Sequence, residues 1–158
     1  MTAFRIPRGA WVVVKEVARH LVRRPVVGIA AAARTGDGRW LLVRRGDTGE
    51  WALPGGTLEW GETLRASIVR ELEEEAGVER CEVGRLVGVW SRPDRDPRFH
   101  GVTVVVACTV DPPIKPPVNP VEITEVKLFP TADLPAELAM GMQDMLSVAV
   151  AGGEPVLE

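Results

Sequence analysis

Long apolar runs are missing from this sequence of 158 residues. No stretch approaches the roughly eighteen uninterrupted apolar residues that a membrane-spanning helix needs. The N-terminus also lacks an apolar region followed by a small-residue cleavage site, which is the pattern of a secretory signal. These absences argue against a membrane protein and predict a protein that stays in the cytoplasm.

Cysteine and histidine are scarce as well. The two cysteines, Cys81 and Cys108, lie in apolar, strand-like segments without the close spacing of a zinc site or a dithiol pair. We interpret both as small core residues. The two histidines, His20 and His100, have no partner pattern that would make a nucleophile–base pair or a zinc site.

What is present fits one globular domain. Hydrophobic residues make up 46% of the chain and charged residues 26%, which is close to the average of soluble proteins. We see no internal repeat. The expected organisation is a basic N-terminal segment (residues 1–25), one folded domain (26–150) and a C-terminal tail (151–158).

The net charge of -3 hides a basic N-terminal segment. Residues 1–25 contain six basic residues and one acidic residue, a charge of +5, which leaves -8 for the rest. A helix here would place Trp11, Val14, Val17 or Ala18, and Leu21 on one side. We interpret the segment as a helix packed on the domain or on a second subunit, although "WVVV" is also compatible with a strand. A basic arm that binds nucleic acid or an acidic membrane surface is the less favoured alternative.

Two hairpins are predicted from the turn signals. "VVGIAAAAR" and "RWLLVRR" flank a Gly/Asp turn, and "CEVGRLVGVWS" and "GVTVVVACTV" flank a polar segment with several turn-forming residues. Between the hairpins, "WALPGG" predicts a short strand that leads through a loop into a helix from about Thr63 to Ala76. Gly77 follows, as is typical just after a helix C-cap.

The second half is predicted to contain a proline-rich loop, a strand and one or two helices. "DPPIKPPVNP" cannot form a helix or a central strand, "EVKLFP" predicts the final strand, and "DLPAELAMGMQDMLSVAV" predicts the closing helices. Strands paired as hairpins with helices on the faces indicate an α/β fold, an α/β/α sandwich around a mixed sheet.

The predicted helix after "WALPGG" carries a crowded acidic face. Glu71, Glu74 and Glu75 share one side, whereas Glu73 points away from them. Three carboxylates this close raise one another's pKa unless a cation lies between them. Hard divalent cations such as Mg²⁺ or Mn²⁺ suit such a site because they prefer oxygen ligands.

These glutamates belong to a longer ordered pattern. Five residues separate Gly56 from Glu62, and seven more separate Glu62 from Arg70-Glu71-Leu72. Glu74-Glu75 and Gly77-Val78 then follow, each after one intervening residue. The pattern resembles the signature box of the Nudix hydrolases. "WALPGG" and "LFPTADLP" extend the resemblance to most of the chain beyond residue 25.

The resemblance implies Mg²⁺-dependent hydrolysis of a nucleoside diphosphate linked to a second group. It assigns metal binding to Glu71, Glu74, Glu75 and the carbonyl of Gly55. Arg70 and Glu62 match positions that orient the carboxylates, and Gly56 matches the first glycine of the box.

The general base stays open. In parts of the family it is a glutamate of the box, for which Glu74 is our candidate, and in others a glutamate in the loop before the last strand. Glu122 and Glu125 fit the second description, and we favour Glu122 because it stands six residues ahead of Leu128.

The segment from Ser91 to Gly101, "SRPDRDPRFHG", resembles one in the ADP-ribose pyrophosphatase branch. Arginines there can clamp phosphate or ribose oxygens, and Phe99 or Trp90 can stack on a base. The arginines are Arg92, Arg95 and Arg98. The alternative is an ordinary hairpin connection with solvated arginines.

The expected reaction is therefore ADP-ribose to AMP and ribose 5-phosphate. The alternatives are MutT-like pyrophosphohydrolysis of (d)NTPs, including oxidised ones, or hydrolysis of dinucleoside polyphosphates, nucleotide sugars or capped RNA. A non-catalytic nucleotide-binding module is less favoured because the box is complete. Since ADP-ribose-cleaving relatives are commonly dimers, we also expect a homodimer.

Overall fold

A single mixed sheet organises the computed structural model, which describes residues 11–17 and 24–158. The eight strands follow the order β3-β2-β1-β6-β5-β8, with β4 paired to β1 and β7 paired to β2. The strands are β1 (Val26–Thr35), β2 (Trp40–Arg45), β3 (Trp51–Ala52), β4 (Gly55–Thr57), β5 (Cys81–Trp90), β6 (Gly101–Val110), β7 (Ile123–Phe129) and β8 (Val156–Leu157). The helices are α1 (residues 11–17), α2 (Leu64–Ala76) and α3 (Met142–Ala151).

Strand β1 lies at the centre of the sheet. It pairs antiparallel with β2 and parallel with β6, and β6 in turn pairs antiparallel with β5. Both predicted hairpins are therefore confirmed. Because side chains alternate between the two faces of a strand, β1 supplies apolar residues to both sides of the sheet.

A helix covers each of these faces. Ile29, Ala31 and Ala33 pack in one core with Ile68 and Leu72 of α2. Ala30 and Ala32 belong to a second core with Met145 and Leu146 of α3. This arrangement confirms the α/β/α sandwich. Cys108 is buried in the first core and Cys81 packs against it, both as free thiols, as predicted.

Helix α2 begins and ends where its caps predict. The Thr63 hydroxyl accepts a hydrogen bond from the Ala66 backbone N–H at 3.2 Å. Gly77 has a left-handed φ of 65° and donates to the Glu73 carbonyl. Leu64 is 38% exposed, whereas Ile68 is fully buried, so the buried apolar stripe of α2 begins at Ile68.

The second half of the chain departs from the prediction in two places. Strand β7 begins at Ile123, and it is not the final strand, because Val156–Leu157 pairs in parallel with β5. Of the segment predicted as closing helices, only Met142–Ala151 is α-helical, preceded by a single 3₁₀ turn at Ala139–Gly141. The proline-rich stretch, residues 111–120, forms a loop as predicted.

Residues 11–17 are helical, which decides against the strand alternative. Trp11, Val14 and Val17 are each more than half exposed, so their apolar side does not pack on the sheet. Ala18 and Leu21 lie outside the described residues, as do His20 and most of the basic residues of the N-terminal segment. In the described part of the chain, no helix is long and apolar enough to cross a membrane.

Candidate active site

The three glutamates of α2 differ in their exposure to solvent. Glu71 is buried, with 8% of its surface exposed, Glu75 is half-buried and Glu74 is exposed. The apolar stripe of α2 packs on the sheet, and Glu71 and Glu75 lie one helical turn apart along the border of that stripe. Two of the three carboxylates are therefore partly withdrawn from water.

Arg70 ties the acidic residues of the box together. Its guanidinium donates to both carboxylate oxygens of Glu62, at 2.8 and 3.0 Å. It also lies 3.0 Å from Glu71 and 3.2 Å from Glu74, so it contacts all three of these glutamates. The bond to Arg70 lowers the pKa of Glu62 to about 2, and Glu62 in turn raises the pKa of Arg70.

Strand β4 approaches α2 closely because it begins with two glycines. The Gly55 N–H donates to Glu75 Oε2 at 2.8 Å. A side chain at Gly56 would overlap the carboxylate of Glu71. The glycines at positions 55 and 56 therefore allow the backbone of β4 to lie directly against the carboxylates.

Burial raises the pKa of two glutamates of α2. It raises the pKa of Glu75 to about 7, against the opposing hydrogen bond from Gly55. Burial also raises the pKa of Glu71, although Arg70 opposes the shift. The sequence pattern suggested that repulsion between neighbouring carboxylates is the main cause of raised pKa values. Repulsion does contribute to both shifts, but burial is the larger cause.

Glu122 lies near this acidic group, at the turn before β7. Its backbone carbonyl accepts from the Gly46 N–H at 2.7 Å, and its charge contributes to the raised pKa of Glu71 and Glu75. Glu125 lies along β7 and pairs with Arg44 at 3.5 Å. Of the two candidate bases, Glu122 is the one whose charge acts on the box glutamates.

The donor set is suited to a hard divalent cation. Glu71 and Glu75 offer carboxylate oxygens in a partly dehydrated setting, and the nearby charge of Glu122 adds to an excess of negative charge. As the side chains stand in residues 11–17 and 24–158, no three acidic, histidine or cysteine side chains converge on a single metal position. Arg70 contacts one carboxylate oxygen each of Glu71 and Glu74.

A cleft opens beside the acidic group. Its enclosed volume is about 110 Å³, below the roughly 300–1,000 Å³ that is usual for ligand pockets. Gly55, Gly56 and Glu75 line it, as do Asp96, Arg98 and Phe99 from the loop after β5. Met140 and Met142, just before and at the start of α3, also line it.

The structure separates the predicted substrate residues into two groups. Arg98 and Phe99 line the cleft, with the guanidinium 5.2 Å from the ring centroid. Arg92 does not line it, and Arg95 lines only a smaller adjoining cavity. The donors of Arg95 are occupied by Glu158, Gly141 and Asp144. Trp90 is 3% exposed and is not available for stacking.

Among the cleft residues that the sequence analysis did not single out are Arg45, Asp96, Met140 and Met142. Asp96 lies in the Ser91–Gly101 segment and pairs with Arg98 at 2.7 Å. It was missed because Asp-Pro in a sequence is usually a turn signal. Arg45 ends β2, where an exposed arginine is ordinary. The methionines give no sequence signal, since Met is usually a core residue.

Comparison with known proteins identifies the class. The fold, a mixed sheet with an acidic capped helix facing a glycine-lined cleft, is that of the Nudix α/β/α sandwich. The model of the NUDIX domain family matches residues 22–148, so the chain belongs to the Nudix hydrolase family.

The individual relatives are similar to this chain over only part of its length or at moderate sequence identity. An ADP-ribose pyrophosphatase of Methanocaldococcus jannaschii is 46% identical over 72 residues, which is 44% of this chain and 42% of that protein. The chain thus matches less than half the length of this curated relative. A MutT NUDIX hydrolase structure from Burkholderia pseudomallei is 31% identical, covers 79% of this chain and 98% of its own, and has a TM-score of 0.66. An ADP-ribose pyrophosphatase structure from Streptococcus suis is 25% identical, covers 85% and 100%, and has a TM-score of 0.69.

Proposed function

We propose that the protein hydrolyses the pyrophosphate bond of a nucleoside diphosphate linked to a second group, with ADP-ribose as the first candidate. The products would be AMP and ribose 5-phosphate. One observation carries the proposal: Glu75 of the box and the pair Arg98–Phe99 line the same cleft. The names of the relatives from Methanocaldococcus jannaschii and Streptococcus suis support the substrate class.

Glu71, Glu74, Glu75 and the carbonyl of Gly55 would hold Mg²⁺ or Mn²⁺. When bound, the cation neutralises phosphoryl oxygens and favours deprotonation of the attacking water. Glu62 and Arg70 position the carboxylates, since Arg70 contacts Glu62, Glu71 and Glu74 within 3.2 Å. The absence of a side chain at Gly56 leaves room for Glu71.

Glu122 would take the proton of the water that attacks phosphorus. The new P–O bond forms as the bridging P–O bond breaks, and the bridging oxygen leaves with the departing phosphate. Glu122 is exposed and therefore accessible to water. Its backbone is fixed by the Gly46 N–H and its side chain by Asn119 at 3.3 Å.

Arg98 and Phe99 would bind the nucleoside side of the substrate. Phe99 offers a ring for stacking, and the Arg98 guanidinium is suited to phosphate or ribose oxygens. Arg92 and Arg95 take an indirect part, because their positions lie outside the main cleft.

The test is product analysis by chromatography. Purified protein is incubated with Mg²⁺ or Mn²⁺ and, in parallel, with ADP-ribose, a nucleotide sugar, dGTP and 8-oxo-dGTP. We expect AMP and ribose 5-phosphate from ADP-ribose, with the triphosphates unchanged. The Glu75→Gln protein serves as the control for contaminating activities.

Two other outcomes contradict the proposal at different levels. Monophosphate and pyrophosphate from a triphosphate would retain the catalytic helix and replace the substrate, in line with the MutT structure from Burkholderia pseudomallei. Inactivity across the panel would favour the nucleotide-binding module.

We further propose that the protein acts as a homodimer, without a membrane or nucleic-acid partner. Trp11, Val14 and Val17 offer an exposed apolar side on α1 that a second subunit can cover.

A further inference from the structure

The carboxylate of Glu158 binds the start of the loop after β5 through several hydrogen bonds. Its Oε2 accepts from the backbone N–H groups of Ser91 and Arg92, at 2.8 and 2.9 Å. Arg95 donates to the same carboxylate through Nε at 3.1 Å and through Nη2. One carboxylate therefore holds the first five residues of a loop that has no regular secondary structure.

Strand β8 brings Glu158 to this position. Val156 and Leu157 pair in parallel with Gly88 and Val89 of β5. The Glu158 N–H continues the pairing with the Val89 carbonyl at 3.0 Å. The carboxylate consequently lies beside the end of β5, where the loop starts.

Arg95 connects the loop to a third element. Its Nη1 donates to the Gly141 carbonyl at 3.2 Å, and its Nη2 lies 3.4 Å from Asp144. Gly141 stands between Met140 and Met142, which both line the cleft. The Arg95 side chain is only 10% exposed, so this guanidinium is an internal connection between the loop and the start of α3.

Residues that follow Arg95 in the loop line the cleft. Asp96 follows Arg95 directly and pairs with Arg98 at 2.7 Å, and Phe99 packs against the Arg98 guanidinium. These three residues and the two methionines line the same cleft as Glu75, and together we call them the cleft wall. Arg95 is joined to both parts of that wall, to Asp96 through the chain and to the two methionines through its hydrogen bond to Gly141, and neither Arg95 nor Glu158 lines the main cleft.

We propose that Glu158 and Arg95 are positioning residues that keep the Asp96–Phe99 wall in its substrate-binding shape, so that β8 sets the affinity for the nucleoside part of the substrate. This inference rests on the proposed function. Without the pair, the loop must be ordered when the substrate binds, and that entropy cost weakens binding. The reacting residues on α2 are untouched, so the loss falls on KM and not on kcat.

The first experiment compares Glu158→Ala with a matched control, Glu154→Ala, which changes an exposed residue of the same segment. Amide hydrogen exchange is measured without substrate. We expect the Ser91 and Arg92 amides to exchange about tenfold faster in Glu158→Ala and to be unchanged in the control, because Glu158 is their acceptor.

The second experiment measures KM and kcat for ADP-ribose and the dissociation constant of AMP by calorimetry. Glu158→Ala should raise KM and the AMP dissociation constant about tenfold and leave kcat within about twofold. Arg95→Ala should have the same effect, and the double variant should add little to either single one. Glu158→Asp should recover part of the loss, since the charge is retained.

The outcomes separate the two proposals. If no substrate is hydrolysed, the proposed function fails, while weaker AMP binding and faster exchange in Glu158→Ala would still support the positioning pair. Unchanged exchange and unchanged AMP binding would overturn the pair whatever the activity, as would absence of AMP binding by the unaltered protein. A fall in kcat at constant KM would also overturn it.

Discussion

Burial is the main cause of the raised pKa of Glu71 and Glu75 in α2. Glu75 lies beside Gly55 with its pKa raised to about 7, whereas Arg70 keeps the pKa of Glu62 at about 2. Two carboxylates of the same box thus have opposite shifts. Helical spacing predicts which glutamates share a face, but only the packing of β4 against α2 determines which of them loses its water.

The metal-free protein should lose stability as the pH rises from about 4.5 to about 7. The folded-state pKa of Glu75 lies above its ordinary value of 4.5, so the folded state binds the extra proton in this window and gives it up with rising pH. The expected slope is at most ~1.4 kcal/mol per pH unit from this group. Chemical denaturation at several pH values, in the presence of a chelator, measures it.

Glu75→Gln should reduce the dependence of the unfolding free energy on pH, because the glutamine side chain does not titrate. Glu73→Gln, at an exposed position of the same helix, should leave the slope unchanged. A wild-type stability that is constant between these pH values would contradict the burial of the Glu75 charge.

Removal of a metal-binding carboxylate should abolish most of the activity while preserving the fold. Glu74→Gln or Glu75→Gln is expected to lower kcat by about 10²–10³. Steady-state kinetics with ADP-ribose and circular dichroism are the measurements, and Glu73→Gln is the control. Activity near that of the unaltered protein in both variants would remove these residues from the proposed site.

At the scale of elements, the end of α2 is joined to the loop that leads to Glu122. The Val118 N–H donates to the Glu74 carbonyl at 2.8 Å, and the Ile114 N–H donates to the Gly77 carbonyl at 3.2 Å. The loop therefore satisfies carbonyl groups at the helix end. It also sets the direction in which the chain enters β7.

Gly77→Ala should loosen this junction. Gly77 has a φ of 65°, and a side chain there would overlap the Lys115 carbonyl. We expect the free energy of unfolding to fall by about 1–3 kcal/mol, because a strained backbone and a displaced loop add together. Denaturant unfolding measures the change.

Gly36→Ala is the matched control, since nothing lies within 4 Å of the added carbon. Its effect should stay within about 0.5 kcal/mol. An equally small effect of Gly77→Ala would show that the loop can move away without cost.

At the scale of the whole molecule, the role of the N-terminal segment can be separated from the catalytic fold. Deleting residues 1–24 removes α1 and its exposed apolar side chains but no strand of the sheet. We expect the full chain to be dimeric and the truncated protein to be monomeric, as measured by light scattering after size-exclusion chromatography.

Two results would contradict this assignment. A dimer that persists after truncation would place the interface elsewhere. Loss of a salt-sensitive binding to nucleic acid, with no change in oligomeric state, would identify the segment as a basic arm instead.

The sequence by itself determined the elements whose signals are local. Thr63 and Gly77 mark the ends of α2, the turn residues mark both hairpins, and the proline-rich stretch excludes regular structure, because caps, turns and proline act within a few residues. The spacing of the box glutamates on one helix is determined in the same way. These signals were sufficient for the fold class and for the family.

Only the tertiary structure decided what depends on contacts between distant segments. Val156–Leu157 becomes a strand because β5 offers it an open edge, and Arg95 contacts Glu158, 63 positions away, although its position suggested a substrate clamp. Glu75 acquires its raised pKa from burial beside β4, a strand that comes before its helix in the chain. Long-range pairing and desolvation leave no periodic trace in the sequence, because they depend on where the folded chain brings each residue and not on its neighbours.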